Sequence, residues 1–368
     1  MAKRIALYIS ALRKGGAERV LVNLADYLAE NGYQVTMVTQ YQKENEYPLN
    51  PKVKRVISDI SGEEVTKSRI LNFVRRFRKL KGIWKREKPE VILSFIGKNN
   101  ILAILTSFGL GSAVAVSVRS EPAREYYNKW MRFMARNLFY AADGVILQTK
   151  ECFSFFPKRI RKKAVILRNP INTAFFKKRY EGERDKTIVT VGRVDENKNH
   201  RMLIQAFAGL AEEFPDYKLI IYGDGEQRKP LLKLVEQMDL QERVLLPGNV
   251  ENVPEMIYKA GVFVLSSNKE GMPNALIEAM IMGLTVVSTN CPCGGPAELI
   301  DHGVNGLLTP VGDVEKMKDN LQILLNDLQK SEELGRNAAK TGDIYRPEKV
   351  YKEWENYLNL LAERKNRR

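Results

Sequence analysis

Cysteine and histidine are scarce in this chain of 368 residues: three of the first, two of the second. Cys152, Cys291 and Cys293 make an odd set without the spacing of a disulfide framework, which points to a reducing compartment and sets aside the small secreted classes. Cys291-Pro-Cys293 offers two thiols to a metal, yet no further Cys or His completes a plausible set of four, so loop cysteines are expected. A G-x-G-x-x-G fingerprint is absent, leaving an NAD-dependent dehydrogenase without its dinucleotide turn. The opening MAKRIALYIS has neither an adequate apolar core nor a cleavage site, so no secretory leader is expected. The longest uncharged run, Asn99 to Val118, is broken by TSFGLGS (106–112). It therefore predicts a short helix, a turn and a buried strand, not a membrane span.

What is present is an ordinary globular composition, 44% apolar and 28% charged, with enough chain for two domains. Charge is unevenly placed: residues 1–180 hold 35 Lys and Arg against 14 Asp and Glu, whereas the remainder holds 24 against 30. The first half is thus built to meet something anionic: nucleic acid, anionic lipid or a phosphorylated acceptor. The basic segments carry no RNA-recognition motif, zinc finger or helix-turn-helix signature, so no nucleic-acid partner is expected.

Strand-like runs alternate with amphipathic helices throughout, the pattern of doubly wound α/β sheets. RIALYIS, the helix carrying Ala17, Val20, Leu21, Leu24 and Leu28, and QVTMVT form one βαβ unit. EVILSF, AVAVSV, GVILQT and KAVILR continue the first half. A second series runs from TIVTVGRV (187–194) through KLIIYGDG, RVLLPGNV, GVFVLSS and LTVVST. The polar stretch 172–186 reads as a linker. The last helix has an apolar stripe of Val350, Trp354, Tyr357, Leu358 and Leu361, and should pack on one of the two halves.

Each half opens with a glycine turn between strand and helix, and ligands of open α/β sheets collect at the carboxyl ends of the strands. Gly15 and Gly16 would admit a ligand close to the backbone at a helix N-terminus, although a plain tight turn reads equally well. GRVDENKNH (192–200) places Arg193 and Lys198 in the matching loop of the second half. Two cations aimed at one crevice suit a diphosphate, one as a fork and one as a point charge; two solvated surface cations are the alternative. In EGMPNALIEAM (270–280), Pro273 suits the first position of a helix. That leaves the amides of Gly271, Met272 and the first turn, with Asn274 and Ala275, free for an oxyanion, and Glu270 lies at that mouth. Asn274 and Glu278 are one turn apart and share a face. A carboxylate among apolar positions, as Glu278 is, needs a buried Arg or hydrogen-bond donors such as a ribose diol.

Taken together, GGAER (15–19), GRVDENKN (192–199), GDGEQR (223–228), GNVENV (248–253), the E-x7-E of EGMPNALIE (270–278) and GGPAELIDHGVNGLL (294–308) resemble the retaining glycosyltransferases of family 4. The resemblance spans nearly the whole chain. It implies the GT-B fold, an α/β architecture of two tandem Rossmann-like domains with a cleft between them. Residues 1–171 would form the acceptor-binding domain, 172–186 the linker and 187–344 the nucleotide-sugar domain, with a helix over 345–368 packing back on the first domain. Arg193 and Lys198 would hold the diphosphate, Glu278 the ribose, and Glu270 with the backbone after it the transferred sugar. Gly16 and Gly192 would line the donor, and Gly248 to Val250 would border the base. The donor would be a UDP-sugar, with an α-linked product. No D-x-D occurs in the sequence, so metal-independent transfer without a cofactor is expected. Relatives often carry a histidine after the strand equivalent to AVAVSV; here that segment reads RSEP, so either Arg119 or Glu121 takes over that contact or none is needed.

The basic half should bind the acceptor, with Gly15 in its first turn. Lys67 to Lys88 holds ten Lys or Arg and one acid. Ile70, Phe73, Val74, Phe77, Leu80 and Trp84 form one helical stripe, and Arg75, Lys79 and Arg86, joined by Arg76, should line a cationic face about 16 Å long. FSFFPKRIRKK (153–163) is a second candidate for the headgroup region. The expectation is a cytoplasmic protein, peripheral on the inner face of the cytoplasmic membrane, taking a lipid-linked phosphate or diphosphate glycan. Within the family the chain resembles bacterial transferases that extend undecaprenyl-diphosphate-linked oligosaccharides with N-acetylgalactosamine. A family 4 transferase for surface polysaccharide or glycolipid is the alternative. Of another class, a non-catalytic nucleotide-sugar or nucleic-acid-binding protein stays open at this point.

Overall fold

The computed structural model describes residues 3–13 and 15–367, with Glu63 in backbone only. The chain forms two compact units, Met1–Pro170 with Pro347–Arg368, and Ile171–Arg346. The first is built on seven strands: β1 (Arg4–Ile9), β2 (Gln34–Thr39), β3 (Lys54–Ile57), β4 (Val91–Phe95), β5 (Ala113–Ser117), β6 (Gly144–Leu147) and β7 (Ala164–Ile166). Their order is β3-β2-β1-β4-β5-β6-β7, every pairing parallel. VILSF of β4 and AVAVS of β5 are buried at every residue. Such continuous apolar runs belong to strands covered on both faces. The run Asn99 to Val118 resolves into the Gly97–Ser107 helix, a turn with Gly109 and Gly111 at positive φ, and β5. Among the described residues no helix is long and apolar enough to cross a membrane.

The chain crosses this sheet in one direction from β1 to β3 and in the other from β4 to β7. Right-handed crossovers then put the connecting helices of the two halves on opposite faces. Helices Arg69–Glu87, Gly97–Ser107 and Lys129–Leu138 lie side by side on one face, and helices Gly16–Glu30 and Pro347–Asn366 pack together on the other. The last helix seats Val350, Trp354, Leu358 and Leu361 in the core. Its Trp354 indole donates to the Arg168 carbonyl at 2.7 Å, and Glu355 accepts from the hydroxyls of Tyr27 at 3.1 Å and Tyr33 at 2.9 Å. Gly144 lies beneath it, where a Cβ would press on the Tyr357 and Leu361 side chains.

The second unit holds β8 (Asp185–Val191), β9 (Lys218–Tyr222), β10 (Val244–Gly248), β11 (Ala260–Leu265), β12 (Thr285–Thr289) and β13 (Leu307–Thr309) in the order β10-β9-β8-β11-β12-β13. These pairings too are parallel. The stretch 172–186 is less of a linker than its polarity suggests. It contains the turn Thr173–Phe175, whose Phe175 is buried in this unit's core, and its last two residues already belong to β8. Edge strands β3 and β13 have too few residues, four and three, to show a period in the sequence.

Candidate active site

The strand order of the second sheet reverses between β8 and β11, the switch point where doubly wound sheets open a crevice at their carboxyl edge. Loop 192–199 leaves β8 there, and loop 266–273 leaves β11. Side chains lace the two together. Asn268 donates its backbone N–H to the Asn197 carbonyl at 2.7 Å and its amide to the Glu196 carbonyl at 3.0 Å. Asn197 donates to the Lys269 carbonyl at 3.0 Å, and the Ser266 hydroxyl to the Lys198 carbonyl at 2.8 Å. Asn199 turns the chain at φ 47°, a left-handed conformation asparagine tolerates, and caps the His200–Ala208 helix.

This lacing fixes a charged cluster. Lys198 Nζ lies 2.6 Å from Glu270 Oε1, with both side chains largely withdrawn from solvent. Ser267 Oγ donates to the same Glu270 oxygen at 2.7 Å. Arg193 pairs with Asp195 at 3.2 Å, and Asp195 also accepts the Lys198 backbone N–H at 3.0 Å. The two cations expected to grip an anion are therefore each bonded to a carboxylate. They differ in setting: the Arg193 side chain is 68% exposed, that of Lys198 17%. Lys198 keeps two further N–H donors for a ligand beside Glu270. Sequence reasoning passed over Asp195, Asn199, Ser267 and Asn268, which hold the cluster in place. Short polar residues just before a helix were the available signal.

Backbones close in from both sides. Gly223 sits at φ 138°, and a Cβ there would collide with the Gly192 carbonyl; one on Gly225 would collide with that of Val194. Gly223 donates to the Gly248 carbonyl at 2.8 Å, bringing the GNVENV turn, with half-buried Val250, to the same rim. Opposite, a Cβ on Gly295 would run into the Gly271 carbonyl. GDG and GGP are thus close-approach sites that bring neighbouring loops against the cluster.

Pro273 is the N-cap of the Asn274–Ile281 helix, one position earlier than its ring chemistry suggests, with φ −77° and ψ 105°. Pro273 itself makes no side-chain cap bond. The start of this helix, with Asn274 and Ala275 in its first turn, lies next along the chain to Gly271, half-buried Met272 and Glu270. Asn274 and Glu278 are both buried on this helix. The Cys291 thiol is pushed up to about 12 by burial and by the Glu270 charge, which makes it an inert neighbour of the cluster. His200 is buried at the start of its helix and falls to about 4 through burial and then the Lys198 charge, so it is neutral at physiological pH.

In the first unit, Gly15 is the extended N-cap of the Gly16–Glu30 helix, and the Glu18 carboxylate folds back over it. Arg119 follows β5. Its Nη2 donates to Asn169 Oδ1 at 2.6 Å, and its guanidinium lies 4.6 Å from the Phe95 ring centre. Burial lowers it to about 10, so it stays charged at pH 7, and its Nε and Nη1 have no hydrogen-bond partner among the described residues. Glu121, half-buried, opens the following short helix.

The cationic face expected on the Arg69–Glu87 helix does not stand free. Arg75 donates to the Glu64 carbonyl, Arg76 pairs with Asp59 at 2.5 Å, Lys79 reaches Glu64 at 3.2 Å, and Arg86 pairs with Glu87 at 2.8 Å. Local acids sit within reach of each, which a helical wheel cannot show. The apolar stripe also divides, with Leu80 and Trp84 buried but Ile70 and Phe73 exposed. In 153–163 the aromatics turn inward, Phe156 fully, leaving Lys158, Arg159, Arg161 and Lys162 outside.

Two doubly wound parallel sheets in tandem, with a charged site at the carboxyl edge of the second, are the architecture of GT-B glycosyltransferases. The chain is a glycosyltransferase of that family group: residues 14–175 match the model of Glycosyltransferase Family 4, and residues 172–341 that of Glycosyl transferases group 1. It is 29% identical to a Campylobacter jejuni protein named GalNAc-alpha-(1->4)-GalNAc-alpha-(1->3)-diNAcBac-PP-undecaprenol alpha-1,4-N-acetyl-D-galactosaminyltransferase, over 99% of both chains. A second Campylobacter jejuni protein, N-acetylgalactosamine-N,N'-diacetylbacillosaminyl-diphospho-undecaprenol 4-alpha-N-acetylgalactosaminyltransferase, is 28% identical over 92% of this chain and 94% of its own. Among solved structures, Anabaena HepE in complex with UDP-glucose superposes with a TM-score of 0.81 at 18% identity, covering 97% of this chain and 99% of that one. At that identity the likeness shows the fold.

Proposed function

We propose that this glycosyltransferase moves an α-linked sugar, N-acetylgalactosamine in the first instance, from a UDP-sugar to a diphosphate-linked glycan on a polyprenyl carrier, with retention of configuration. The observation that carries the reading is the Lys198–Glu270 pair, held at the switch point beside the start of the Asn274–Ile281 helix. The names of the two Campylobacter relatives supply the sugar and the carrier.

In this reading the departing UDP builds negative charge on its β-phosphate. Lys198, Arg193 and the first-turn amides of the helix stabilise it where water would have to reorganise. Glu270 stays bonded to Lys198 and presents its other oxygen to the sugar hydroxyls. Glu278 accepts from the ribose diol, and Gly248 to Val250 flank the base. The leaving phosphate oxygen takes the proton of the acceptor hydroxyl on the same face. Charge neutralisation by these groups makes the transfer independent of added metal.

The test is transfer from a panel of UDP- and GDP-sugars to an undecaprenyl-diphosphate glycan, with and without EDTA, the product anomer read by NMR. An α-linked product from UDP-N-acetylgalactosamine with EDTA present is expected. A β-linked product, or activity lost to EDTA and restored by Mg²⁺, overturns the mechanism.

A further inference from the structure

The edge strand β10 is irregular where it approaches the site. It pairs with β9 at Val244 and Leu245, opposite Leu219 and Ile220, and again at Gly248, opposite Tyr222. Two residues of β10, Leu246 and Pro247, therefore span the one step that Ile221 fills in β9. This is a β-bulge in a parallel ladder, where bulges are rare, and a bulge re-aims the end of its strand. Pro247 brings no N–H to the ladder. Beyond it Gly248 sits at φ 91°, its carbonyl accepting from the Gly223 N–H. The bulge thus sets where the GNVENV turn leaves the sheet.

Arg228, the first residue of the Arg228–Gln237 helix, grips that bulge: its Nη2 donates to the Leu246 carbonyl at 2.7 Å. The same helix start is tied to the loop that carries Arg193 and Lys198. Gln227 donates its backbone N–H to the Val194 carbonyl at 3.0 Å, and Val194 donates to the Asp224 carbonyl at 3.0 Å. One side chain therefore couples the end of β10 to the cationic loop.

Arg243, at the other end of β10, shows what an arginine placed for stability looks like. Its Nε, Nη1 and Nη2 all donate to carbonyls, those of Tyr217 at 2.6 Å, Ala211 at 3.3 Å and Phe214 at 2.7 Å. Arg228 makes one such bond, and its Nε is buried with no partner among the described residues. An N–H left unpaired in the interior costs stability. A side chain kept at that cost beside a ligand rim points to a duty in binding.

We propose that Arg228 is a positioning residue for the nucleobase, acting through the Leu246–Pro247 bulge to hold the backbone from Gly248 to Val250 where the uracil of the donor is read. This role rests on the UDP-sugar donor proposed above and deepens it. Backbone N–H and C=O groups tell a pyrimidine from a purine only when their places are fixed, because a hydrogen bond weakens steeply as its angle closes. Since Arg228 acts at the base end of the donor, its loss should spare the diphosphate end.

Titration calorimetry of the full chain with UDP, GDP and inorganic pyrophosphate separates those two ends. Arg228→Gln should weaken UDP about tenfold, narrow the preference for UDP over GDP, and leave pyrophosphate within about twofold of the parent. In transfer it should raise the donor KM by about the same factor with kcat kept. Arg228→Lys keeps a donor for the Leu246 carbonyl and should recover most of the UDP affinity. Arg243→Gln should lower the urea midpoint more than Arg228→Gln does, yet leave UDP and GDP binding as in the parent. Equal losses of UDP and pyrophosphate in Arg228→Gln would overturn the proposal, as would UDP affinity unchanged in that variant once folded. Either result leaves the proposed donor standing. A parent chain that binds UDP no more tightly than pyrophosphate overturns both the role of Arg228 and the base-bordering turn.

Discussion

Replacing Lys198 by alanine removes two things with separable magnitudes. In the resting protein it leaves Glu270, 14% exposed, with the Ser267 hydroxyl as its side-chain donor among the described residues. Orphaning one partner of a buried ion pair costs about 3–5 kcal/mol. Here both side chains keep an edge to solvent, so roughly 2–3 kcal/mol of stability should go. In the proposed reaction it removes one charged donor from the leaving diphosphate, which by the measure of an oxyanion-hole donor is about 3–4 kcal/mol or 10²–10³ in kcat. Urea unfolding reads the first quantity and steady-state transfer at saturating donor the second. Adding Glu270→Gln to Lys198→Ala removes the orphaned charge, so it should recover much of the stability and none of the rate. Arg193→Ala, whose side chain is mostly solvated and bound to Asp195, should cost nearer tenfold in kcat/KM with little change in stability. A folded Lys198→Ala, Arg193→Ala double variant that turns over within threefold of the parent would refute the reasoning.

Gly295→Ala should reduce activity by at least tenfold, because its Cβ would push the Gly271 carbonyl and shift Glu270. Gly303→Ala, at φ 81° with open space around it, should cost only about 1 kcal/mol of stability and no activity; parallel kinetics and unfolding of the two variants check this. Glu278→Gln should raise the donor KM about tenfold with kcat nearly kept, measurable by titrating the UDP-sugar at fixed acceptor. His200 is held neutral in the fold, falling from an ordinary 6.5 to about 4, chiefly by burial. Between those values the unfolded chain binds the extra proton. The stability contributed by neutral His200 is therefore complete above pH 6.5 and declines as pH falls towards 4. Unfolding free energies measured across that window should slope downward with acid, and His200→Gln should flatten the slope.

The alternation of short apolar runs with amphipathic helices made two Rossmann-like halves legible from the chain alone. β4 and β5 show why: they are buried on both faces, so every residue had to be apolar or small, and the pattern survives without any partner in view. The glycines of GDG and GGP were legible as motifs, since only a residue without a Cβ fits where one carbonyl crowds another. The stripe on the last helix was legible as a buried face, and its resemblance-based placement on the first unit agrees with Trp354 bonding Arg168 and Glu355 bonding Tyr27 and Tyr33.

What tertiary structure decided is which charges are spoken for. Arg75, Arg76, Lys79 and Arg86 read as a free cationic face, but Asp59 and Glu64 fold against three of them and Glu87 takes the fourth. Lys198 and Glu270, 72 residues apart, become a 2.6 Å pair only because β8 and β11 are neighbours in the sheet. Apolar periodicity is local and repeats within one element, so it can be read along the chain. An ion pair depends on two points brought together by the fold, and its strength falls with distance and solvent exposure, neither of which sequence order encodes.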